Sequence, residues 1–184
     1  MRVLFIGKKM ILAVSLLIIT CIGFFATPKV QQIVVSSTAR DLPIYDVQTD
    51  NKVISLSFDA AWGNEDTQLL IDILAEYDVK ATFFVVGEWV DKYPESVLAL
   101  YEAGHEIQNH SDTHPHMTTL DYSSMVSEMN SCSDKIESIT GVRPTLFRPP
   151  YGDYDDKLVA TLREQGYYCI QWSIDSLAIE VKQV

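Results

Sequence analysis

The sequence predicts an α/β domain built on a parallel sheet, and two observations support that prediction. Short β-branched or aromatic runs alternate with amphipathic helical segments between residues 51 and 177, which is the spacing typical of βα units. The 184-residue chain is 47% hydrophobic and 21% charged, which suits one globular domain with a core. The formal net charge of −11 argues against a nucleic-acid binder, because phosphates need a basic face.

Residues 1–27 precede this domain and contain a charge-free apolar segment at 10–26. Lys8 and Lys9 stand before the segment, which predicts that the rest of the chain lies outside the cytoplasm. The segment is close to the shortest length that spans a bilayer. It therefore predicts an N-terminal transmembrane helix acting as a signal anchor, with a cleaved signal peptide and a secreted domain as the alternative. Residues 28–50 are predicted to form a linker or stalk.

Five strands and four helices are expected within residues 51–177. Apolar, β-branched runs predict strands at 53–58, 81–86, 105–110, 145–148 and 167–174. Capping residues and helical periodicity predict helices from Asn64 to Tyr77, Pro94 to Gly104, Asp121 to Gly141 and Asp155 to Gln165. The apolar face of the first helix is predicted to contain Leu69, Leu70, Ile73, Leu74 and Tyr77.

Polar residues follow several of these strands. Asp59 comes after the first, His110 ends the third, Arg148 ends the fourth and Asp175 follows the fifth. Because parallel strands place their carboxyl ends at one edge of a sheet, we expect these side chains to converge. Two cysteines, Cys132 and Cys169, fall at core positions of a helix and a strand, and we expect free thiols there.

His110 and His114 are the leading metal-binding candidates. They are four residues apart in HSDTHPH, a spacing that brings two imidazoles together, as in many zinc sites. A third ligand, often a carboxylate, would leave a position for water, whose pKa the metal would lower. The alternative is a surface histidine cluster without a metal. His105 is predicted to be structural, and His116 to be a rim residue or an adventitious third nitrogen.

Asp59, Arg148 and Tyr151 are the candidate catalytic residues. Asp59 directly follows an apolar run and can act as a general base, or else as a simple turn residue. In RPPYG, two prolines fix the backbone, and the Arg148 guanidinium can hold a carboxylate. The amide of Tyr151 is available as an oxyanion donor. The alternative for RPPYG is a rigid surface turn.

The motifs SFDAAWG, ATFFVVG, GHEIQNHSDTH, FRPPYG and WSIDS, in this order, resemble those of the polysaccharide deacetylases, also called the NodB-homology or carbohydrate esterase family 4. The SFDAAWG form resembles the bacterial sporulation-associated branch. The resemblance covers residues 52–177 and implies a distorted (β/α) barrel. It also implies metal-dependent hydrolysis of acetyl groups from an amino-sugar polymer such as peptidoglycan or chitin.

The resemblance also implies residue roles. Asp59 matches the catalytic base, and His110 and His114 match the metal-binding histidines. Arg148 matches the arginine that orients the base, and Tyr151 matches the residue whose amide faces the oxyanion. The implied metal is a divalent ion, Zn or else Co, Mn or Ni, and the implied partner is a cell-wall polysaccharide. We predict no protein partner.

Two departures from the family pattern limit what is implied. The second aspartate of the family, a metal ligand, falls at Ala60, so water, Glu65 or Asp66 would have to complete the metal shell. The resemblance ends inside the last motif, and residues 178–184 form a divergent tail. We therefore hypothesise a frameshifted or truncated product with an incomplete barrel, lacking the family's later histidine, the general acid.

Three functions are compatible with the sequence. The first is a membrane-anchored or secreted carbohydrate deacetylase acting outside the cytoplasm. The second is a non-catalytic glycan-binding pseudoenzyme of the cell wall, which the alanine at position 60 favours. The third, a metallopeptidase, is disfavoured because the chain lacks an HExxH helix.

Overall fold

The structure is a computed structural model that describes residues 41–176. The predicted anchor, most of the predicted linker and the tail at 178–184 lie outside the described residues. Within the described part of the chain, no helix is long and apolar enough to cross a membrane.

The predicted α/β class with a parallel sheet is confirmed. Five parallel strands lie in the order β1-β2-β3-β4-β5. The strands are β1 (Ser57–Ala60), β2 (Thr82–Val85), β3 (Glu106–Asn109), β4 (Leu146–Phe147) and β5 (Tyr168–Cys169). The helices are α1 (Thr67–Glu76), α2 (Gly87–Lys92), α3 (Pro94–Glu102), α4 (Tyr122–Thr140) and α5 (Asp156–Glu164), with 3₁₀ helices at Met117–Thr119 and Pro150–Gly152.

The first strand lies later in the chain than its composition predicts. The prediction of a strand at 53–58 was wrong at its start, because Val53 and Ile54 are exposed and outside the sheet. Pairing with β2 sets the register, in which Asp59 lies opposite Phe84. Asp59 is therefore a residue of the strand itself, and its backbone position is set by pairing with β2.

The first helix also begins later than predicted. Asn64 does not cap it, because the Asn64 side-chain amide donates to Ser96 Oγ at 3.1 Å, and α1 starts at Thr67. The predicted apolar face is only partly correct. Leu74 is buried and Leu70 half-buried, whereas Leu69, Ile73 and Tyr77 are exposed, and Ile71 packs against the core instead. A short helix, α2, was not predicted.

The two later helices match their predicted ends. Asp121 accepts a hydrogen bond from the Ser124 amide at 2.8 Å, and Gly141 ends α4 in the left-handed region with φ 73°. Asp155 caps α5 in the same way through the Leu158 amide. The predicted linker is not wholly separate from the sheet, because Ile44 forms a parallel bridge with Ile170 beside β5.

The core consists of two clusters of buried apolar side chains. One packs β1–β3 against α1, α2, α3 and part of α4, around Phe83, Trp89 and Val97. The other packs β4 and β5 against α5 and the start of α4, around Met125, Phe147 and Leu158. Cys132 and Cys169 are buried in these clusters as free thiols, as predicted. Burial raises the pKa of Cys169 to about 12, so it is not a reactive thiol.

Candidate active site

Three of the predicted site residues meet at the carboxyl edge of the sheet. Arg148 Nη1 donates to Asp59 Oδ1 at 2.6 Å, and Arg148 Nη2 donates to Ser57 Oγ at 2.7 Å. The other oxygen, Asp59 Oδ2, lies 3.7 Å from His110 Nε2. Arg148 is almost fully buried, whereas the Asp59 side chain is 37% exposed. The arrangement holds one carboxylate oxygen firmly and leaves the other accessible, which is what a general base requires.

The buried guanidinium of Arg148 also lies against two aromatic rings, a contact that the sequence did not predict. Its carbon atom lies 4.0 Å from the centre of the Phe84 ring and 5.6 Å from that of Trp172. Aromatic faces attract cations, especially when water is excluded. Ser57 and Phe84 are therefore part of the site, but nothing in their sequence context distinguishes them from other strand residues.

The neighbours of His110 define which of its ring nitrogens carries a proton. His110 Nδ1 lies 2.6 Å from the carbonyl oxygen of Arg148. Since a carbonyl can only accept, Nδ1 carries the proton, and Nε2 of the neutral ring has a free lone pair directed toward Asp59. Burial lowers the pKa of His110, although the nearby Asp59 carboxylate opposes that shift. Burial therefore favours the neutral ring, with its proton on Nδ1.

His114 lies beside His110 on a strained loop. Their ring centres are 5.0 Å apart, and burial also lowers the pKa of His114. The amide of His114 donates to Ser111 Oγ at 3.0 Å. His114 and Ser111 both have positive φ angles, 57° and 68°, which non-glycine residues rarely adopt. Such strain often accompanies a functional site, because the surrounding contacts must maintain it.

Tyr151 lies on the same rim in a turn built by Pro149 and Pro150. Its φ angle is 61°, another left-handed non-glycine residue. The amide of Gly152 donates to the Pro149 carbonyl, whereas the amide of Tyr151 has no acceptor among residues 41–176. The Tyr151 ring contacts the His114 ring edge to face, with 4.6 Å between centres. Tyr151 thus brings an amide without an acceptor to the turn that contacts His114.

The side chains present fit a metal held by two imidazoles. Burial lowers the pKa of both His110 and His114 and favours the neutral form, in which a ring nitrogen can donate a lone pair, and His114 Nδ1 is buried without a hydrogen-bond partner. A third side chain is not in place, because no three His, Cys, Asp or Glu side chains of the described residues are grouped to hold an ion. Ala60 packs partly against the core, and the Glu65 carboxylate accepts a hydrogen bond from the Asn64 amide.

The loop that carries the two histidines is fixed by α4. Glu128 Oε2 accepts from the amides of Asp112 and Thr113 at 2.9 and 2.8 Å. Lys135 Nζ lies 2.6 Å from Asp112 and 2.7 Å from Asp91. Burial opposes protonation of Lys135, but the hydrogen bonds to both aspartates outweigh it and raise its pKa. Sequence reasoning missed both residues, since a charged residue on an amphipathic helix gives no sign of its tertiary partner.

His116 lies beside the site, whereas His105 lies at the opposite end of β3 from His110. His116 stacks on the Tyr151 ring at 4.2 Å, and its Nδ1 lies 3.4 Å from Asp153. It is a rim residue, one of the two predicted possibilities. His105 is buried at the start of β3, where its Nδ1 accepts a hydrogen bond from the Ala81 amide. Asp175 is exposed well beyond the end of β5.

Comparison with known proteins places this geometry in a family. Residues 46–170 match the sequence profile described as polysaccharide deacetylase. The chain is 40% identical over 117 residues to the peptidoglycan-N-acetylmuramic acid deacetylase PdaC of Bacillus subtilis, covering 64% of this chain and 25% of PdaC. It is 40% identical over 124 residues to chitin deacetylase 1 of Cryptococcus neoformans, covering 67% and 26% of the two chains.

A solved structure shares the fold closely. It is a CE4 family pseudoenzyme from Bacillus anthracis, with a TM-score of 0.72 and 33% identity, covering 75% of this chain and 49% of that one. A mutant of the same pseudoenzyme with restored enzymatic activity matches with the same TM-score. The chain thus spans about half of this solved relative and about a quarter of the two curated ones.

Proposed function

Because this chain belongs to the polysaccharide deacetylase family, we propose that it hydrolyses acetyl groups from N-acetylated amino sugars of peptidoglycan or a chitin-like glycan. Water would add to the acetyl carbon, the carbon–nitrogen bond would break, and acetate and a free amine would be released. The observation that carries the proposal is the carboxylate of Asp59, held by Arg148 beside the His110 imidazole, which the His114 ring contacts in turn.

Asp59 is proposed as the general base. Its Oδ2 atom is not bonded to Arg148 and is the oxygen that would take a proton from the attacking water. Arg148 is proposed as a positioning residue, because its bonds to Asp59 and Ser57 hold the carboxylate against β1. The stacking of its guanidinium on Phe84 restricts the position further.

His110 and His114 are proposed to hold a divalent metal ion, zinc or else cobalt, manganese or nickel. When bound, such an ion polarises a carbonyl and lowers the pKa of water. The hydrogen bond from His110 Nδ1 to the Arg148 carbonyl would orient the ring, as partners of metal-binding histidines commonly do. The free amide of Tyr151 is proposed to donate a hydrogen bond to the oxyanion that forms from the acetyl carbonyl.

The test is acetate release from acetylated peptidoglycan and from chitin oligosaccharides, measured on the full chain with added zinc or cobalt. We expect Asp59→Asn to reduce the rate by at least about 100-fold, because the amide cannot accept the proton. Asp72→Asn is the matched control, since Asp72 is an exposed residue of α1. Equal rates for the wild type and Asp59→Asn would refute the assignment of the base.

A glycan-binding pseudoenzyme is the second candidate, and Ala60 is the observation that favours it. The family's second aspartate is absent there, and the chain is 33% identical to a structurally characterised pseudoenzyme. This function predicts glycan binding without acetate release, and binding that Asp59→Asn leaves unchanged. Measurements on the wild type and Asp59→Asn therefore distinguish a deacetylase from a glycan-binding pseudoenzyme.

We place the domain outside the cytoplasm, anchored by residues 1–27 or secreted after their cleavage. The support is the apolar segment preceded by Lys8 and Lys9, together with relatives named as peptidoglycan deacetylases. Protease added to intact cells should digest the domain if it is anchored there. Digestion only after lysis would contradict the placement.

A further inference from the structure

A continuous row of four aromatic rings borders the candidate active site. The Trp62 and His114 ring centres are 5.2 Å apart, His114 and Tyr151 are 4.6 Å apart, and Tyr151 and His116 are 4.2 Å apart. We call these four residues the aromatic row. Three of its members are open to solvent, since Trp62 is 80% exposed, Tyr151 is 59% exposed and the His116 side chain is 58% exposed.

The exposure of Trp62 is not the result of a loose chain. Trp89 Nε1, buried in the core, donates to the carbonyl of Gly63, the next residue. Asn64, one residue further, donates from its side chain to Ser96 Oγ at 3.1 Å. The loop is thus tied to α2 and α3 while the indole remains in water.

An exposed indole beside a site differs from a scattered surface residue. Single exposed apolar residues are normal, but contiguous apolar surface marks a binding site. Trp62 is contiguous with three other rings, one of which is His114, a proposed metal ligand. Covering the indole with an apolar ligand surface would release its hydration water and be favourable.

We propose that Trp62 is a sugar-stacking residue of the glycan-binding site. Its indole would pack on the apolar C–H face of a sugar unit next to the unit whose acetyl group lies at Asp59. His116 would support the other end of the row, because it stacks on Tyr151 and is held through Asp153. A neutral glycan offers no charge to attract, so its affinity must come from such apolar contacts and hydrogen bonds. This inference rests on the proposed function for the identity of the ligand.

The test is calorimetric titration of the full chain with tetra-N-acetylchitotetraose. Trp62→Ala should raise Kd by roughly three- to tenfold, the range for losing one aromatic contact. Trp62→Phe should retain most of the affinity, because stacking needs a ring rather than the indole nitrogen. Tyr77→Ala is the matched control, since Tyr77 is also exposed but ends α1 at the opposite edge of the sheet, and its Kd should be unchanged.

Kinetics provide a second readout. KM for the same oligosaccharide should rise with Kd, and kcat should stay within about twofold, as for a contact made equally in ground and transition states. Acetate release by the wild type with an unchanged Kd and KM in Trp62→Ala would overturn the inference and leave the proposed function intact. Weaker binding by Trp62→Ala without acetate release would support the inference and refute the proposed catalysis. Equal losses in Trp62→Phe and Trp62→Ala would refute stacking.

Discussion

The loops that follow β1 and β3 begin at the same edge of the sheet, but their contacts with the rest of the domain are very different. In the β3 loop, His110 and Ser111 are buried, and the backbone is bonded to Glu128 of α4. In the β1 loop, Trp62 is exposed, and the principal ties are the bond from Trp89 to Gly63 and the one from Asn64 to Ser96. One loop is part of the core, and the other lies on its surface.

This difference indicates where the site can vary. The β3 loop places two imidazoles in a strained backbone that buried hydrogen bonds maintain, so changes there should affect stability as well as chemistry. The β1 loop follows Ala60, the last residue of β1, and carries the exposed Trp62. Changes in the β1 loop should therefore alter metal or ligand binding at little cost in stability.

The largest effect is expected from Asn109→Ala, just before the β3 loop. The Asn109 side chain is fully buried, donates to the Met129 carbonyl and Ser133 Oγ, and accepts from the Ser111 amide. Its loss leaves these groups unpaired and should lower the free energy of unfolding by about 2–4 kcal/mol. Asn64→Ala, the corresponding change in the β1 loop, should cost less than about 1 kcal/mol. Urea unfolding measures both losses of stability. Similar losses would show that the two loops are bound to the domain equally strongly.

An intermediate effect is expected from Glu128→Ala. Glu128 accepts from the Asp112 and Thr113 amides and, through Oε1, from Thr113 Oγ1. Losing these charge-assisted bonds should cost about 1–2 kcal/mol of stability and slow acetate release, because the His114 backbone would relax. Glu137→Ala is the control on the same helix, since Glu137 makes an ion pair with Arg143 at the surface, where such pairs contribute about 0–1 kcal/mol. A Glu128→Ala protein as stable as the control would show that α4 does not hold the loop.

The smallest effect is expected from Ala60→Asp at the end of β1, and it concerns the affinity for zinc. Ala60→Asp would place a carboxylate next to Asp59, whose Oδ2 lies 3.7 Å from His110 Nε2. This carboxylate would be a third protein ligand beside the two imidazoles, and it should tighten zinc binding by about tenfold, or 1.4 kcal/mol. Competition with a chromophoric chelator measures the affinity. Ala61→Asp is the neighbouring control, because it adds the same charge one residue beyond the end of β1. Equal gains from both substitutions would indicate nonspecific attraction of the cation.

Much of the fold could be predicted because it depends on local patterns. Asp121, Gly141 and Asp155 are capping residues, and each has its predicted place at the end of a helix. The errors concern the starts of β1 and α1, the unpredicted helix α2, and the fifth strand, which was predicted at 167–174 and spans Tyr168–Cys169. The apolar run at 53–58 predicted a strand too early, since hydrogen bonding to β2 decides which of its residues join the sheet. Asn64 was expected to cap a helix, but Ser96, far away in the chain, competes for its side chain.

The sequence by itself determined the α/β class, the family, and the five residues in the leading hypothesis for the site. Each of these depends on residue identity or on short-range spacing, which the chain carries in any conformation. The tertiary structure decided how Asp59 is held between Arg148 and His110, and how Glu128 and Lys135 fix the histidine loop. It also decided that Trp62 stands exposed beside His114. These relations join residues from different strands and helices, and their geometry arises only when packing brings the elements together.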